Sequence, residues 1–261
     1  MQRSSRQRMI IRAVGQQRMT VDALIALTGA SPITIRRDLA DLEGRGLLKR
    51  VHGGAVRVDN RGQPMPYSLR SHENLEQKLS LATVAASLID DDQSVILDNG
   101  TTNDALAQTL VGRRMTVLCL SLHAAVALGT SRDIRVIVPG GLITPDSLSA
   151  TAAASIQAAR DMRADVSVLG ACAASPAHGL TTATWDDAQI KRAIAAAGAR
   201  RIMLATGQKL ARTSSFRFGG FDDLDDLVVT EDAPEAVVDQ FREAGVQVHV
   251  APETARRSDD D

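Results

Sequence analysis

The sequence predicts an α/β protein in two parts, a small N-terminal winged helix-turn-helix module and a larger C-terminal α/β domain with a mainly parallel sheet. Three observations carry this prediction. Charge is segregated along the chain: residues 1–58 hold 11 Lys and Arg against 4 Asp and Glu, a net of +7, and the remainder holds 19 against 27, a net of −8, within a total of −1. Two capped helices around a glycine turn precede a short basic hairpin. From residue 94 onward, strand-like and helix-like runs alternate, the pattern of a parallel sheet covered on both faces.

Composition bounds the rest. A chain of 261 residues exceeds one ordinary domain, and 44% apolar residues with only 2% aromatic ones demand a core of Ala, Val, Leu and Ile. Cys119 and Cys172 lie far apart in apolar runs, and no apolar stretch reaches the ~18 residues of a membrane span, so a reduced, cytoplasmic protein with no membrane partner is expected. His52, His72, His123, His178 and His249 show no metal-ligand spacing, and neither a Gly-x-Ser-x-Gly elbow nor a Gly-x-x-x-x-Gly-Lys loop occurs. No metal and no cofactor are expected. Tyr67 and Trp185 are isolated and read as packing residues.

In the first module Thr20 is placed to cap a helix over 21–27, with Leu24 and Leu27 facing inward, and Gly29 supplies the turn. Ser31 caps a second helix, and Pro32 fits its first position, where a missing N–H costs nothing. Ile35, Leu39 and Leu42 form its buried stripe, leaving Ile33, Arg37 and Ala40 on the opposite face, flanked by Thr34 and Arg36. Asp41 stands four residues beyond Arg37, so a quiet intrahelical pair is one reading of these charges. The other is a recognition helix in the DNA major groove, with base edges under its first turns and phosphates held by a wing at Gly46–Gly54 that carries Lys49, Arg50 and His52. Arginine suits either base or phosphate, and Ile33 suits a thymine methyl.

The run Ser31-x-x-Thr34-Ile35-Arg36-Arg37-Asp38-Leu39, followed by Gly46-Leu47-Leu48-x-Arg50-x-His52-Gly53-Gly54-Ala55, closely resembles the N-terminal domain of the DeoR family of bacterial transcriptional regulators. The resemblance implies double-stranded DNA as partner and a contact set of Thr20, Ser31, Ile33, Thr34, Arg36, Arg37, Lys49, Arg50 and His52. Helix-turn-helix proteins generally bind as symmetric oligomers, so a homodimer or homotetramer is expected.

The organisation read along the chain is a DNA-binding domain at 1–57, a linker and connecting helix at 58–78, an α/β domain at 79–252, and an acidic tail at 253–261 expected to be disordered. Arg70, Asn74 and Lys78 fall at i, i+4 and i+8 of one expected helix, a stripe that resembles the family's connecting segment and that a solvated helix face explains equally. Strands are expected at 94–97, 115–120, 134–138, 165–169, 201–205, 227–230 and 246–250, and helices at 103–110, 123–128, 186–197 and 234–244.

Ligands of such folds bind at the carboxyl ends of the strands. There the sequence offers Asp98-Asn99-Gly100-Thr101-Thr102, where free N–H groups and a helix dipole point at one spot, and both a plain helix cap and a phosphate cradle fit the pattern. The family resemblance favours the cradle, because its sensor domains carry this loop, are similar in fold to ribose-5-phosphate isomerase, and take a small anionic effector, usually a phosphorylated sugar. It implies an effector set of Asp98, Asn99, Gly100, Thr101, Thr102, Ser121, Lys191 and Lys209. The chain also departs from the family pattern. Cys119-Leu120-Ser121 replaces Thr-Asn-Ser, Ala152 and Ala173 replace glycines, and Thr206-Gly207-Gln208-Lys209 replaces Asp-Ser-Ser-Lys, while Gly140, Gly141 and Gly179 are kept. Losing an amide and a carboxylate removes partners for sugar hydroxyls, so the effector is expected to differ, bind weakly, or be lost.

A sugar-phosphate isomerase is the rival class. Aldose–ketose isomerisation needs positioned carboxylates, and Gly170-Ala171-Cys172-Ala173-Ala174, the apparent counterpart of the isomerase loop, has none. A protein that is not an enzyme is therefore expected, and the family resemblance implies a repressor of carbohydrate-use genes released by its effector. An architectural DNA-coating protein would not need so large a second domain.

Overall fold

The computed structural model describes residues 3–44, 46–57, 66–170, 172–210 and 212–253 and divides the chain into two compact units, Met1–Met65 and Pro66–Asp261. Of the linker and connecting helix expected at 58–78, residues 58–65 lie outside the described residues, as do residues 254–261 of the tail expected at 253–261.

In the first unit, α1 (Arg3–Gln16), β1 (Met19–Thr20), α2 (Val21–Thr28), α3 (Pro32–Gly44), β2 (Leu48–Val51) and β3 (Gly54–Arg57) form a helix-turn-helix backed by an antiparallel sheet of order β1-β3-β2. Local chemistry sets the helix ends. Thr20 Oγ1 accepts from the Ala23 amide at 3.1 Å, Gly29 closes α2 at φ +67°, and Ser31 Oγ accepts from the Thr34 amide at 3.3 Å. Ile10, Val14, Leu24, Ile35, Leu39, Leu42 and Leu48 make the core. Leu27 departs from expectation at 43% exposure. The inward stripe of α2 runs through Val21, Leu24, Ile25 and Thr28, and Leu27 lies to one side of it. Gly54 is required by a close approach, since a Cβ there would lie 2.1 Å from the Met19 carbonyl oxygen.

The second unit begins with the short α4 (Tyr67–Arg70) and α5 (Leu75–Ser87). The single connecting helix expected through Arg70, Asn74 and Lys78 is broken, because Asn74 sits at φ +52° and starts α5 afresh. A left-handed residue interrupts the 3.6-residue period on which the stripe depended. Then follow β4 (Ser94–Leu97), α6 (Thr101–Leu110), β5 (Met115–Cys119), α7 (Leu122–Leu128), β6 (Ile134–Ile137), the β7 (Ile143–Thr144)/β8 (Ser149–Ala150) hairpin and α8 (Ala153–Asp161). Next come β9 (Ala164–Gly170), β10 (Ala173–Ser175), β11 (Gly179–Thr182), α9 (Trp185–Ala197), β12 (Gly198–Ala205), β13 (Phe216–Gly219), β14 (Asp226–Thr230), α10 (Glu235–Glu243) and β15 (Gln247–Ala251).

Seven strands pair in parallel in the order β15-β14-β12-β9-β4-β5-β6. One face packs on α5, α6 and α7 through Leu81, Leu106 and Leu128, and the other on α8, α9 and α10 through Ala159, Ile194 and Phe241. The α/β expectation is met. The small antiparallel sheet β10-β11-β13 and the β7/β8 hairpin were not foreseen, since strands of two to four residues carry too little periodicity to be read. From β4 the chain winds one way to β5 and β6 and, later, the other way from β9. The switch point, where α/β folds hold ligands, therefore lies between the carboxyl ends of β4 and β9.

Candidate functional site

Two surfaces concentrate chemistry, one in each unit. In the first, α3 turns Ile33, Arg36, Arg37 and Ala40 outward, Ile33 being 71% exposed. The intrahelical pairing that could have absorbed the arginines is not where the acids go. Asp38 is buried and accepts from Arg6 Nε at 2.5 Å and from Gln7 Nε2 at 3.3 Å, and Asp41 accepts from Gln7 at 2.9 Å and pairs with Arg3 at 3.3 Å. Both carboxylates tie α3 to α1, and no ion pair among the described residues engages Arg36 or Arg37. Ser31 and Thr34 share a 2.9 Å hydrogen bond at the start of this helix, and Thr20 is committed to its cap. On the wing, Lys49 is exposed on β2, Arg50 is steadied by Glu43 through a 2.8 Å amide contact and a 3.8 Å ion pair, and His52 tops the turn. An exposed helix face with two guanidinium groups that no ion pair among the described residues engages, and an apolar tip, beside a basic hairpin, suits a duplex edge and its phosphates.

In the second unit, the carboxyl end of β4 leads to Asp98, Asn99 and Gly100, the last at φ +124°, a backbone conformation that glycine alone adopts freely. Asp98 is fully buried. Its Oδ1 accepts from the Asn99 amide at 2.8 Å, and its Oδ2 accepts from the Gly170 amide at 2.9 Å and from Lys191 Nζ. Lys191 also lies 3.7 Å from Asp187 Oδ2, and Asp187 accepts from Asn99 Nδ2 at 3.0 Å and from the Thr182 hydroxyl. Burial works against both charges. Even so, the Lys191 ammonium, with the Thr182 and Asn99 donors, holds the Asp187 carboxyl below the usual range, and Asp187 and Asp98 hold Lys191 above its own. The sequence reading found one carboxylate here. The fold supplies a second, Asp187, from α9, together with Thr182.

The predicted effector residues therefore separate. Asp98, Asn99 and Lys191 are brought together, but bonded to one another, as the buried support of the loop. Thr101 and Thr102 open α6, and the Thr102 hydroxyl is buried with no hydrogen-bond partner among the described residues. Ser121 is turned elsewhere, since its hydroxyl donates to Asp104 at 2.6 Å and caps α7. Lys209 stands on a single 3-10 turn, Gly207–Lys209, past β12, half-buried and without an ion pair among the described residues. Desolvation, with Arg70 and Lys191 adding to it, pushes Lys209 down to about 8. Lys78 on α5, 5% exposed, is likewise lowered to about 8 by burial and by Lys209, and among the described residues its ammonium donates only to the Arg70 carbonyl. Lys78 was visible in the sequence only as part of a polar stripe. Its burial was not.

Cys172 follows β9 with its sulfur 3.2 Å from Thr182 Oγ1, exposed, while Cys119 is buried. Trp185 corrects another expectation: at 54% exposure it packs only edge-on to Phe216 and beneath Arg192. An open cleft of about 520 Å³ against the small antiparallel sheet, lined by His178, Thr213, Arg217 and Phe221, shares no residue with the β4 loop. Among the described residues no group of His, Cys, Asp or Glu is arranged to hold a metal, and no helix is long and apolar enough to cross a membrane.

Residues 6–61 match the model of a DeoR-like helix-turn-helix domain, and residues 73–231 match that of a DeoR C-terminal sensor domain. The chain is 30% identical to the HTH-type transcriptional regulator GolR of Listeria innocua, over 94% of this chain and 98% of that one. It is 30% identical to a glycerol-3-phosphate regulon repressor of Haemophilus influenzae, over 93% and 95%, and to the HTH-type transcriptional repressor GlcR of Bacillus subtilis, over 89% and 90%. Among solved structures, a D-ribose-5-phosphate isomerase aligns with 52% of this chain and 54% of its own at 21% identity and a TM-score of 0.37.

Proposed function

The chain belongs to the DeoR family of transcriptional regulators, and from that membership we propose that it represses carbohydrate-metabolism genes and is released from DNA by a phosphorylated sugar or similar anionic metabolite. It is a DNA-binding regulator and not an enzyme. The finer reading assigns the base edges to Ile33, Arg36 and Arg37, the phosphates to Lys49, Arg50 and His52, and helix positioning to Thr20, Ser31 and Thr34. A homodimer or homotetramer in the cytoplasm would present two such helices to half-sites about one turn of DNA apart.

One observation carries the effector reading. Lys209 follows the carboxyl end of β12, as the start of α6, which has no side-chain cap, follows that of β4, and the charge of Lys209 disfavours that of Lys78; neither lysine has a carboxylate at ion-pair distance among the described residues. A buried ammonium that has only a carbonyl for a partner is undercompensated, and an anion is the partner that removes the cost. In this reading the Gly100–Thr102 amides and hydroxyls receive the anion, Lys209 and Lys78 neutralise it, and the Asp98–Lys191–Asp187 cluster fixes the loop. The departures at Leu120 and Thr206-Gly207-Gln208 mean that fewer groups contact sugar hydroxyls, which favours a ligand recognised chiefly by its anion.

The test is a thermal-shift screen with phosphorylated sugars followed by operator titration. A true effector at 100 times its dissociation constant adds about 2.7 kcal/mol of stability and weakens operator binding. Thr101→Val should leave operator affinity nearly intact while blunting release. Operator affinity that is identical with and without every stabilising compound would overturn the effector reading and leave DNA binding standing.

A further inference from the structure

We propose that Arg18, a residue outside the assigned contact set, holds a DNA phosphate beside the wing turn, and that Glu43 restrains Arg50, so that the hairpin meets a duplex chiefly with the charges of Arg18 and Lys49. The inference rests on the reading of the 46–54 hairpin as a DNA-binding wing and names which cations serve it.

Strand register brings Arg18 to the wing. Met19 and Thr20 of β1 pair with Ala55 and Gly54 of β3, and Lys49 and Arg50 of β2 pair with Val56 and Ala55. The same register carried one residue back from Met19 sets Arg18 opposite Val56, the partner of Lys49. Residues in one row across a sheet share a face, so Arg18 and Lys49 fall on one side of the hairpin sheet. Arg50 falls on the other, in the row of the buried Ala55 and on the side of the buried Leu48. The wing turn is fastened to the same segment. Arg18 Nη2 donates to the His52 carbonyl oxygen at 3.2 Å, and the Val21 amide donates to the Gly53 carbonyl oxygen at 2.9 Å. A phosphate that meets the wing at His52 therefore meets Arg18 as well.

The two arginines differ in what already surrounds them. Arg18 is exposed, and among the described residues its guanidinium has no carboxylate at ion-pair distance and no partner besides the His52 carbonyl. That bond spends one N–H and leaves the rest of the planar fork for an anion, while fixing one arm lowers the entropy lost when a phosphate is gripped. Arg50 is the opposite case. Its amide donates to Glu43 Oε1 at 2.8 Å, and its Nε lies 3.8 Å from Glu43 Oε2. An ion pair this exposed, at 49% and 41%, is weak by itself. The backbone bond nevertheless anchors the carboxylate beside the guanidinium, so a phosphate brought to Arg50 has to approach a fixed negative charge. Lys49 is exposed and has no such neighbour at ion-pair distance among the described residues. Glu43 closes the recognition helix, so the same carboxylate that steadies the wing against α3 also limits how strongly Arg50 holds any duplex, whatever its sequence.

Binding of the full chain to a random-sequence DNA duplex, followed by fluorescence anisotropy over a series of salt concentrations, tests this, because the slope of log affinity against log salt reports how many phosphates are held. Arg18→Gln keeps a donor for the His52 carbonyl and removes the charge, so the slope should fall by about 0.9, the share of one phosphate. Arg18→Lys keeps a charge and should hold the wild-type slope, and Lys49→Gln should fall as Arg18→Gln does. Glu43→Gln keeps an acceptor for the Arg50 amide and removes the carboxylate charge, so its slope should steepen and its affinity for random duplex rise severalfold. A wild-type slope in Arg18→Gln beside a reduced one in Lys49→Gln overturns the role of Arg18 and leaves the wing standing, even if affinity drops. An equal fall in Arg18→Lys and Arg18→Gln overturns it too, since the loss would then come from the turn and not from charge. Slopes unchanged in both Arg18→Gln and Lys49→Gln refute the wing itself, and the proposal goes with it. Wild-type slope and affinity in Glu43→Gln overturn the restraint on Arg50.

Discussion

Asp98 and Lys191, 93 positions apart in sequence, form an ion pair in which neither side chain is more than 2% exposed. The pair joins the carboxyl end of β4 to α9, and Asp187, one helical turn before Lys191, makes the single ammonium serve two carboxylates. Removing one partner of such a pair leaves an uncompensated buried charge. Lys191→Met should therefore cost about 3–5 kcal/mol, and the Asp98→Asn/Lys191→Met double variant less than the two single costs combined. Trp185, the chain's single tryptophan, sits on the same helix, so its fluorescence during urea unfolding reports this unit alone. Additive costs would show that the pair is not coupled.

The two basic elements of the DNA-binding unit should fail differently. Arg37 lies on the outward face of α3 with no ion pair among the described residues, so Arg37→Ala should weaken binding to the preferred operator far more than binding to random duplex. Lys49→Ala should weaken both alike and lower the salt slope by about one unit. Competition binding at several salt concentrations separates these outcomes. Equal losses for Arg37→Ala on every sequence would exclude base reading by that residue.

Gly54 has no room for a side chain against the Met19 carbonyl. Gly54→Ala should force β1 away from β3 at a cost of about 1–3 kcal/mol and abolish operator binding. The Trp185 unfolding transition should stay where it is, because that residue belongs to the other unit. Retained operator affinity would show that β1 can yield without loss.

Anion binding should depend on pH through Lys78 and Lys209, both lowered to about 8. Sulfate is a suitable probe because its own charge is constant across the range. Bound anion favours charged lysines, so affinity is fully present below pH 8 and falls as pH rises through that value, by up to about tenfold per unit for each lysine. Without the anion the sign reverses. The unfolded chain, whose lysines titrate near 10.4, binds more protons than the folded one between pH 8 and 10, so stability in that window should rise with pH, and less so in Lys78→Met. A sulfate affinity that is flat from pH 7 to 9.5 would remove both lysines from the site.

Much of this was legible along the chain. Caps at Thr20 and Ser31, the glycine turn at Gly29, the apolar stripe of Ile35, Leu39 and Leu42, and the β/α alternation all express rules that act between residues a few positions apart. So does the Asp98–Thr102 loop, whose backbone turn and helix start are written in consecutive residues. What neighbours encode, the sequence by itself determined: the two-part architecture, the exposed basic helix, and a polar loop at the end of a strand.

Only the tertiary structure decided which of those groups remain available. Asp38 and Asp41 were drawn to α1, so that no ion pair among the described residues engages Arg36 or Arg37, and Ser121 was drawn to Asp104. Asp187 arrived beside Asp98 because strand order sets β9 against β4 and carries α9 with it, and Lys78 was buried by a break at Asn74 that the regular spacing of the stripe concealed. The physical reason is the same in each case. The partner of a buried charge is set by long-range packing and by the need to leave no ion uncompensated in a low dielectric, and neither is a property of adjacent residues.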